Sequence, residues 1–233
     1  IYTTLLIQKN LPLYNDELSA STMKETPQIL LFEKMTEWYT KYKLPVTADF
    51  YNRFRIGSCP IGIQSYTVYT QLKAAAPEID GRWTVALLPG FADENGNINH
   101  YSAGTGTGCA ITKFAKSPEN AWKFLKWWTS AETQTRYSGE LEAALGPLGR
   151  LAVSNSESFE SMDWDTNMEE IILKQRQQTD ELPEVPGGYY TTRCLTQAFW
   201  EVVENGNTSL EAMIKWGEIL NNEIARKRAE YIS

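Results

Sequence analysis

The sequence predicts an α/β protein in which helices dominate and the strands are few, short and central. Three observations carry this. Segments with apolar residues at helical spacing recur along the chain, and most start at a cap residue and stop at Pro or Gly. Between them lie brief apolar runs bounded by turn residues, which read as buried strands: Pro60–Gln64, Trp83–Leu88 and Cys109–Thr112. The 233 residues are 42% hydrophobic and 22% charged, enough for a sizeable core in one large or two small domains.

The first helix is expected behind Thr26-Pro27, an N-cap followed by proline at the first helical position. Its apolar positions are Leu31, Met35, Trp38 or Tyr39, and Tyr42, until Leu44-Pro45 stops it. A short helix fits Asp49–Arg55, with Gly57 near its end, and another runs from Tyr66 to Ala76, where Pro77 breaks it. Asp93-Glu-Asn-Gly96-Asn is turn chemistry, because Asn-Gly tolerates positive φ. Ser117-Pro118 opens a helix whose apolar face is Ala121, Trp122, Phe124, Leu125 and Trp128. Thr129-Ser-Ala-Glu132 reads as a capping box for the next one. Leu145–Arg150 breaks it, and a polar stretch leads to a helix over Met168–Gln178. Thr192 is placed to cap a helix bearing Leu195, Ala198, Phe199, Val202 and Val203, ended by Asn205-Gly206. A second capping box, Thr208-Ser-Leu-Glu211, starts a last helix that buries Leu210, Met213, Ile214, Gly217, Leu220 and Ile224.

Composition excludes several function classes. The net charge is −7, and the one basic cluster, Arg226-Lys227-Arg228, sits where it complements a helix C-terminus, so nucleic acid is not expected as a partner. Three separated cysteines (Cys59, Cys109, Cys194) and a single histidine, His100, offer no zinc or Cys–His pattern, and no cofactor is expected. The carboxylate pairs Asp163/Asp165 and Glu140/Glu142 are sequence neighbours and read as solvated surface, since a glycosidase pair is defined in space. No apolar run approaches the roughly 20 residues of a membrane span. The chain opens at Ile1-Tyr2 without a Met, from which a missing start is expected. Aromatics make up 12% of the chain, with eight Trp and twelve Tyr, a surplus that suits a core and a sugar-stacking surface alike.

Five stretches occur in a recognisable order. Phe54-Arg-Ile-Gly57 leads into Cys59-Pro-Ile-Gly-Ile63 and the aromatic helix start Tyr66. Trp83-Thr-Val-Ala-Leu-Leu-Pro89 is followed by the glycine-rich Ser102–Gly108. Then come Lys116–Ser130 with Glu132 and Gln134, Pro186-Gly-Gly-Tyr-Tyr-Thr-Thr-Arg193, and Asn221–Arg228. This series resembles the carbohydrate-oriented extracellular solute-binding proteins of ABC importers, the group that includes maltose-binding protein. The helix Pro118–Trp128 and its Thr-Ser sequel are the most specific part.

The resemblance implies a helix-rich, two-lobed periplasmic-binding-protein fold of type II. This chain would be its C-terminal portion, with the N-terminal half absent and needed as a partner. By the same analogy residues 1–90 belong to the second lobe, 91–143 return to the first, and 144–233 complete the second. Hinge crossings would fall near Pro89–Tyr101 and Gly146–Gly149. The implied function is capture of a sugar between lobes and delivery to ABC permease membrane subunits, without enzymatic turnover. The implied location is extracellular or periplasmic, with a lipoprotein anchor. A glycoside-active enzyme or its accessory carbohydrate-binding region, and a binder of peptides or other polar solutes, are the alternatives.

A sugar ring calls for an aromatic plane and planar hydrogen-bonding groups. Tyr66 stands at a helix start where family members often place a ligand aromatic, flanked by Ser65 and Thr67; packing in the core is its other reading. Gly104 and Thr105 lie where backbone would approach ligand, or merely connect lobes. Tyr189 and Tyr190 follow a rigid Pro-Gly-Gly loop, and as neighbours they should face apart. Arg193 would bridge hydroxyls, pair with an acidic ligand, or form a structural ion pair.

Overall fold

A computed structural model of the chain describes residues 1–104, 106–162, 164 and 166–232. The chain forms two compact units. The first comprises Ile1–Ala48, Leu88–Gly104 and Gln178–Ser233, the second Asp49–Leu87 and Thr105–Gln177.

Four helices build the first unit: α1 (Tyr2–Gln8), α2 (Thr26–Thr40), α9 (Thr191–Val203) and α10 (Ser209–Ile232). Pro27 lies in the first turn of α2 as expected, but Glu25 takes the cap position and Thr26 is already helical. Leu31, Phe32 and Met35 of α2 are buried. Phe32 meets the ring of Tyr2 edge-on at 5.2 Å, while the Tyr2 hydroxyl donates to Gln28 O at 2.8 Å. The side chain therefore gains burial and loses no hydrogen bond. Tyr190, not Thr192, stands at the cap of α9. The turn between α9 and α10 reverses at Gly206, with φ +75°. The Thr208–Glu211 box forms as expected: Glu211 N donates to Thr208 Oγ1 at 3.2 Å, and Thr208 N to Glu211 Oε2 at 3.1 Å.

Along α10, Ala212, Met213, Leu220 and Ile224 are fully buried, at the spacing that keeps one face inward. Leu210 and Ile214 are expected with them but are exposed, because they lie on one flank of that stripe, where the covering surface ends. Arg228 donates to Leu18 O at 2.9 Å, and Asn221 Oδ1 accepts from Ser21 N at 2.7 Å, so the loop before α2 is tied to α10.

The second unit contains α3 (Phe50–Arg55), α4 (Thr67–Ala75), α5 (Pro118–Trp128), α6 (Ala131–Leu145), α7 (Ser156–Glu160) and α8 (Thr166–Gln177). Asp49 caps α3 by accepting from Asn52 N. The cap of α6 is Ser130, one residue later than the expected capping box, and it accepts from Thr133 N. The core is aromatic. Trp164 stacks on Phe159 with centroids 4.5 Å apart and donates its indole N–H to Phe159 O at 2.8 Å. Tyr69, Val153, Met168 and Ile172 complete the buried set. By contrast α5 has no buried residue: Trp122, Phe124 and Trp127 are all exposed.

The three expected strands are not strands in the structure. Pro60–Gln64, Trp83–Leu88 and Cys109–Thr112 run as irregular backbone that joins no sheet among the described residues, and Ile61, Ile63 and Ile111 are exposed. An apolar run becomes a strand only when another segment satisfies its backbone groups, and that pairing is not a property of the run itself. Trp83 and Val85 instead lay their side chains on the aromatic core of their unit. The strands that do form are two residues long. Phe91–Ala92 (β1) and Ile98–Asn99 (β2) pair antiparallel around the Asp93–Asn97 turn. There Asp93 Oδ1 accepts from Asn95 N and Asn97 N at 2.8 Å, and Gly96 has φ +82°. Ser102–Ala103 (β3) and Thr179–Asp180 (β4) pair in parallel, both within the first unit.

Candidate ligand-binding site

The sequence-expected residues fall in both units. In the second, Ser65, Tyr66 and Thr67 surround the start of α4. Tyr66 is half-buried, with Phe159 at 5.7 Å, Trp164 at 6.4 Å and the Arg176 guanidinium at 5.9 Å from its ring. Desolvation pushes its phenol above the ordinary value, opposed by Arg176. Tyr66 is thus chiefly a wall of the aromatic core. Ser65 and Thr67 are exposed and bonded to each other, Thr67 Oγ1 donating to Ser65 Oγ at 3.0 Å. Arg176, which sequence reasoning passed over, lies 4.3 Å over Phe159 and donates to Val153 O and Ser154 O at 3.0 and 3.1 Å. Only its type and helical position were legible; its stacking partners come from distant segments.

In the first unit, Gly104 N donates to Asp180 O at 2.8 Å, extending the β3–β4 pairing. A Cβ at Gly104 would stand 2.3 Å from Thr179 Cγ2, so the residue serves close strand approach. Thr105 lies outside the described residues, as do Asp163 and Asp165. Glu140 and Glu142 are occupied by ion pairs with Arg136 and Arg150 respectively.

Tyr189 and Tyr190 diverge as adjacent residues should. Tyr190 is half-buried against the core of the first unit, and Arg193 lies 5.3 Å over its ring. Tyr189 is 67% exposed. The cause is the turn before them. Gly187 has φ +84°, and a Cβ there would stand 2.9 Å from Ile224 Cα and 3.0 Å from Glu223 O. Glycine therefore lets the loop rest directly on the backbone of α10, beside Glu223.

The Tyr189 hydroxyl donates to Glu223 Oε1. The same carboxylate takes a two-pronged bond from Arg226, Nε to Oε2 at 2.9 Å and Nη2 to Oε1 at 2.6 Å. Arg226 and Lys227 also hold Glu230. Arg226 first, and Tyr189 second, hold the Glu223 carboxyl down at about 2, while the bond to Glu223 raises the Tyr189 phenol. The sequence reading had given Arg226 only to the helix dipole. The three-residue spacing from Glu223 was visible; the contact with Tyr189 was not.

Residues 4–161 match the sequence pattern of the family described as bacterial extracellular solute-binding protein. The chain belongs to that family. No curated protein matches it. Solved structures show the same fold. An ABC transporter solute binding protein of Thermotoga lettingae, bound with alpha-D-tagatose, aligns at TM-score 0.69 and 18% identity over 96% of this chain and 55% of its own. The sugar-binding protein MalE of Xanthomonas citri aligns at TM-score 0.66 and 14% identity, covering 100% of this chain and 57% of its own. An ABC substrate-binding protein of Listeria monocytogenes in complex with cycloalternan aligns at 0.58 and 13%, over 95% and 55%. The chain thus has the fold of these helix-rich solute-binding proteins and spans about half their length. No helix among the described residues is long and apolar enough to cross a membrane.

Proposed function

We propose that this chain is the C-terminal portion of the solute-capturing component of an ABC importer, that its ligand is a sugar or oligosaccharide, and that it delivers the ligand to membrane permease subunits without turnover. The family match over residues 4–161 carries the reading, and the sugar-binding names of three proteins with the same fold support the ligand class. The N-terminal half is the partner that completes the cleft, and a lipid anchor holds the protein outside the cell.

For the complete protein we propose the lobe assignment of the resemblance: residues 1–90 and 144–233 in the second lobe, 91–143 in the first. The unburied face of α5 supports it. An 11-residue amphipathic helix is marginal in water unless its apolar face packs, and Trp122, Phe124 and Trp127 await a surface. The ligand-binding residues in this reading are Ser65, Tyr66, Thr67, Gly104, Thr105, Tyr189, Tyr190 and Arg193, with Gly104 and Thr105 acting through backbone. Of these, Tyr189 has the most exposed ring.

The test is titration calorimetry and intrinsic Trp fluorescence of the complete protein against mono- and oligosaccharides, with product analysis. Saturable binding with no shorter products is expected. Silence across the panel would remove the carbohydrate class, and shortened oligosaccharides would make the protein an enzyme.

A further inference from the structure

An exposed tyrosine on a surface loop is ordinarily a free rotor, yet Tyr189 is fixed at both ends. Its backbone is pinned by the Gly187 turn lying on α10, and its hydroxyl is bonded to Glu223. Glu223 is itself immobilised by the two-pronged bond from Arg226, and Arg226 by Glu230. Three side chains, Glu223, Arg226 and Glu230, thus hold one ring, which remains 67% exposed. Tyr190 crosses it at 6.1 Å and 73°, buttressing one edge.

We propose that Tyr189 is a preorganised stacking platform for a neutral sugar ring, with Glu223 and Arg226 as the positioning residues that hold it. The inference rests on the carbohydrate reading and adds to it two residues and a charge class. A held ring presents its face without losing rotamer freedom when ligand arrives, the saving that makes rigid aromatics effective contacts. Stacking suits the apolar C–H face of a pyranose. The charge class follows from the network around the ring. Glu223 and Glu230 are balanced by Arg226 and Lys227, so the residues that hold the Tyr189 ring present no net charge to an ionic solute. That favours a neutral sugar over an acidic solute.

The experiment uses the complete protein carrying this chain, with affinities for the best neutral sugar of the panel measured by calorimetry. Tyr189→Ala should weaken binding by about tenfold, the value of a lost aromatic contact. Tyr189→Phe and Glu223→Ala cut the same hydrogen bond from its two ends, and each should weaken binding by about threefold to tenfold. The Tyr189→Phe/Glu223→Ala double variant should be no weaker than the worse single one, because both act through one ring orientation. Thermal unfolding of each variant separates lost folding from lost positioning. Wild-type affinity in Tyr189→Ala would overturn the platform and leave the carbohydrate reading standing. Multiplying losses in the double variant would overturn the positioning role. A wild-type protein that binds no sugar would overturn the carbohydrate reading and this inference with it.

Discussion

Replacing Gly187 by alanine tests the contact that places Tyr189. Two costs add. The residue has φ +84°, and an L side chain in the left-handed region costs about 1–2 kcal/mol. The new methyl would also stand 2.9 Å from Ile224 Cα and 3.0 Å from both Glu223 O and Ile224 N. These are backbone atoms in the middle of a helix whose Leu220 and Ile224 are fully buried, so they have no room to retreat. Forcing a methyl into such a contact costs about 1–3 kcal/mol more, for a total of about 2–5 kcal/mol. Gly206→Ala is the control, because Gly206 has φ +75° and nothing within 4 Å of its added Cβ. It should lose only the backbone part, about 1–2 kcal/mol. The unfolded chain stiffens alike in both variants, so the difference between them isolates the clash. Urea denaturation of the two variants, followed by far-UV circular dichroism, measures it. Equal losses in Gly187→Ala and Gly206→Ala would refute the argument that the loop rests on α10.

The remaining predictions concern the two cores, the cysteines and acid stability. Phe32→Ala and Phe159→Ala each remove a fully buried ring and should cost about 3–5 kcal/mol in the first and second unit respectively. Calorimetric unfolding would show it, and a loss below about 1 kcal/mol in either would mean the ring is not a core residue. Native protein treated with an alkylating reagent at mildly basic pH should be modified at exposed Cys109 and spared at Cys194, which is buried and has its thiol pushed up to about 11 by desolvation. Peptide mapping reads this, and rapid labelling of Cys194 would contradict its burial. Glu223 has its folded value lowered from 4.5 to about 2, so its stabilisation is complete above 4.5 and disappears as pH falls toward 2. The gap in melting temperature between wild type and Glu223→Ala should therefore close across that window. A gap independent of pH would argue against the Arg226–Glu223–Tyr189 network.

How much was legible beforehand follows the range of each interaction. The Thr208–Glu211 box, the short helix after Asp49 and the Asp93–Asn97 turn were readable because every partner lies within four residues. The amphipathic pattern of Pro118–Trp128 was equally plain, and the helix is there; the pattern carries no information on which surface covers it. Pro60–Gln64, Trp83–Leu88 and Cys109–Thr112 misled because apolar content is local and strand pairing is not. The helix α1 gave no sign, being only 7 residues long with no side-chain cap, and it exists because Leu5 and Leu6 find a core.

The candidate site divides in the same way. That one of Tyr189 and Tyr190 would face outward followed from their adjacency behind Pro186-Gly-Gly188, and the order of five motifs sufficed for the family. The longer helices, the Thr208–Glu211 box, the Asp93–Asn97 turn and the family were determined by the sequence itself, since they rest on neighbours along the chain or on motif order. Tertiary structure decided that Tyr66 packs on Phe159 and Trp164, that Gly187 lies against Ile224, and that Tyr189 is held by Glu223, 34 residues away. The physical reason is that burial and hydrogen bonding between distant segments depend on which surfaces the whole chain brings together, and no local window contains both sides of such a contact.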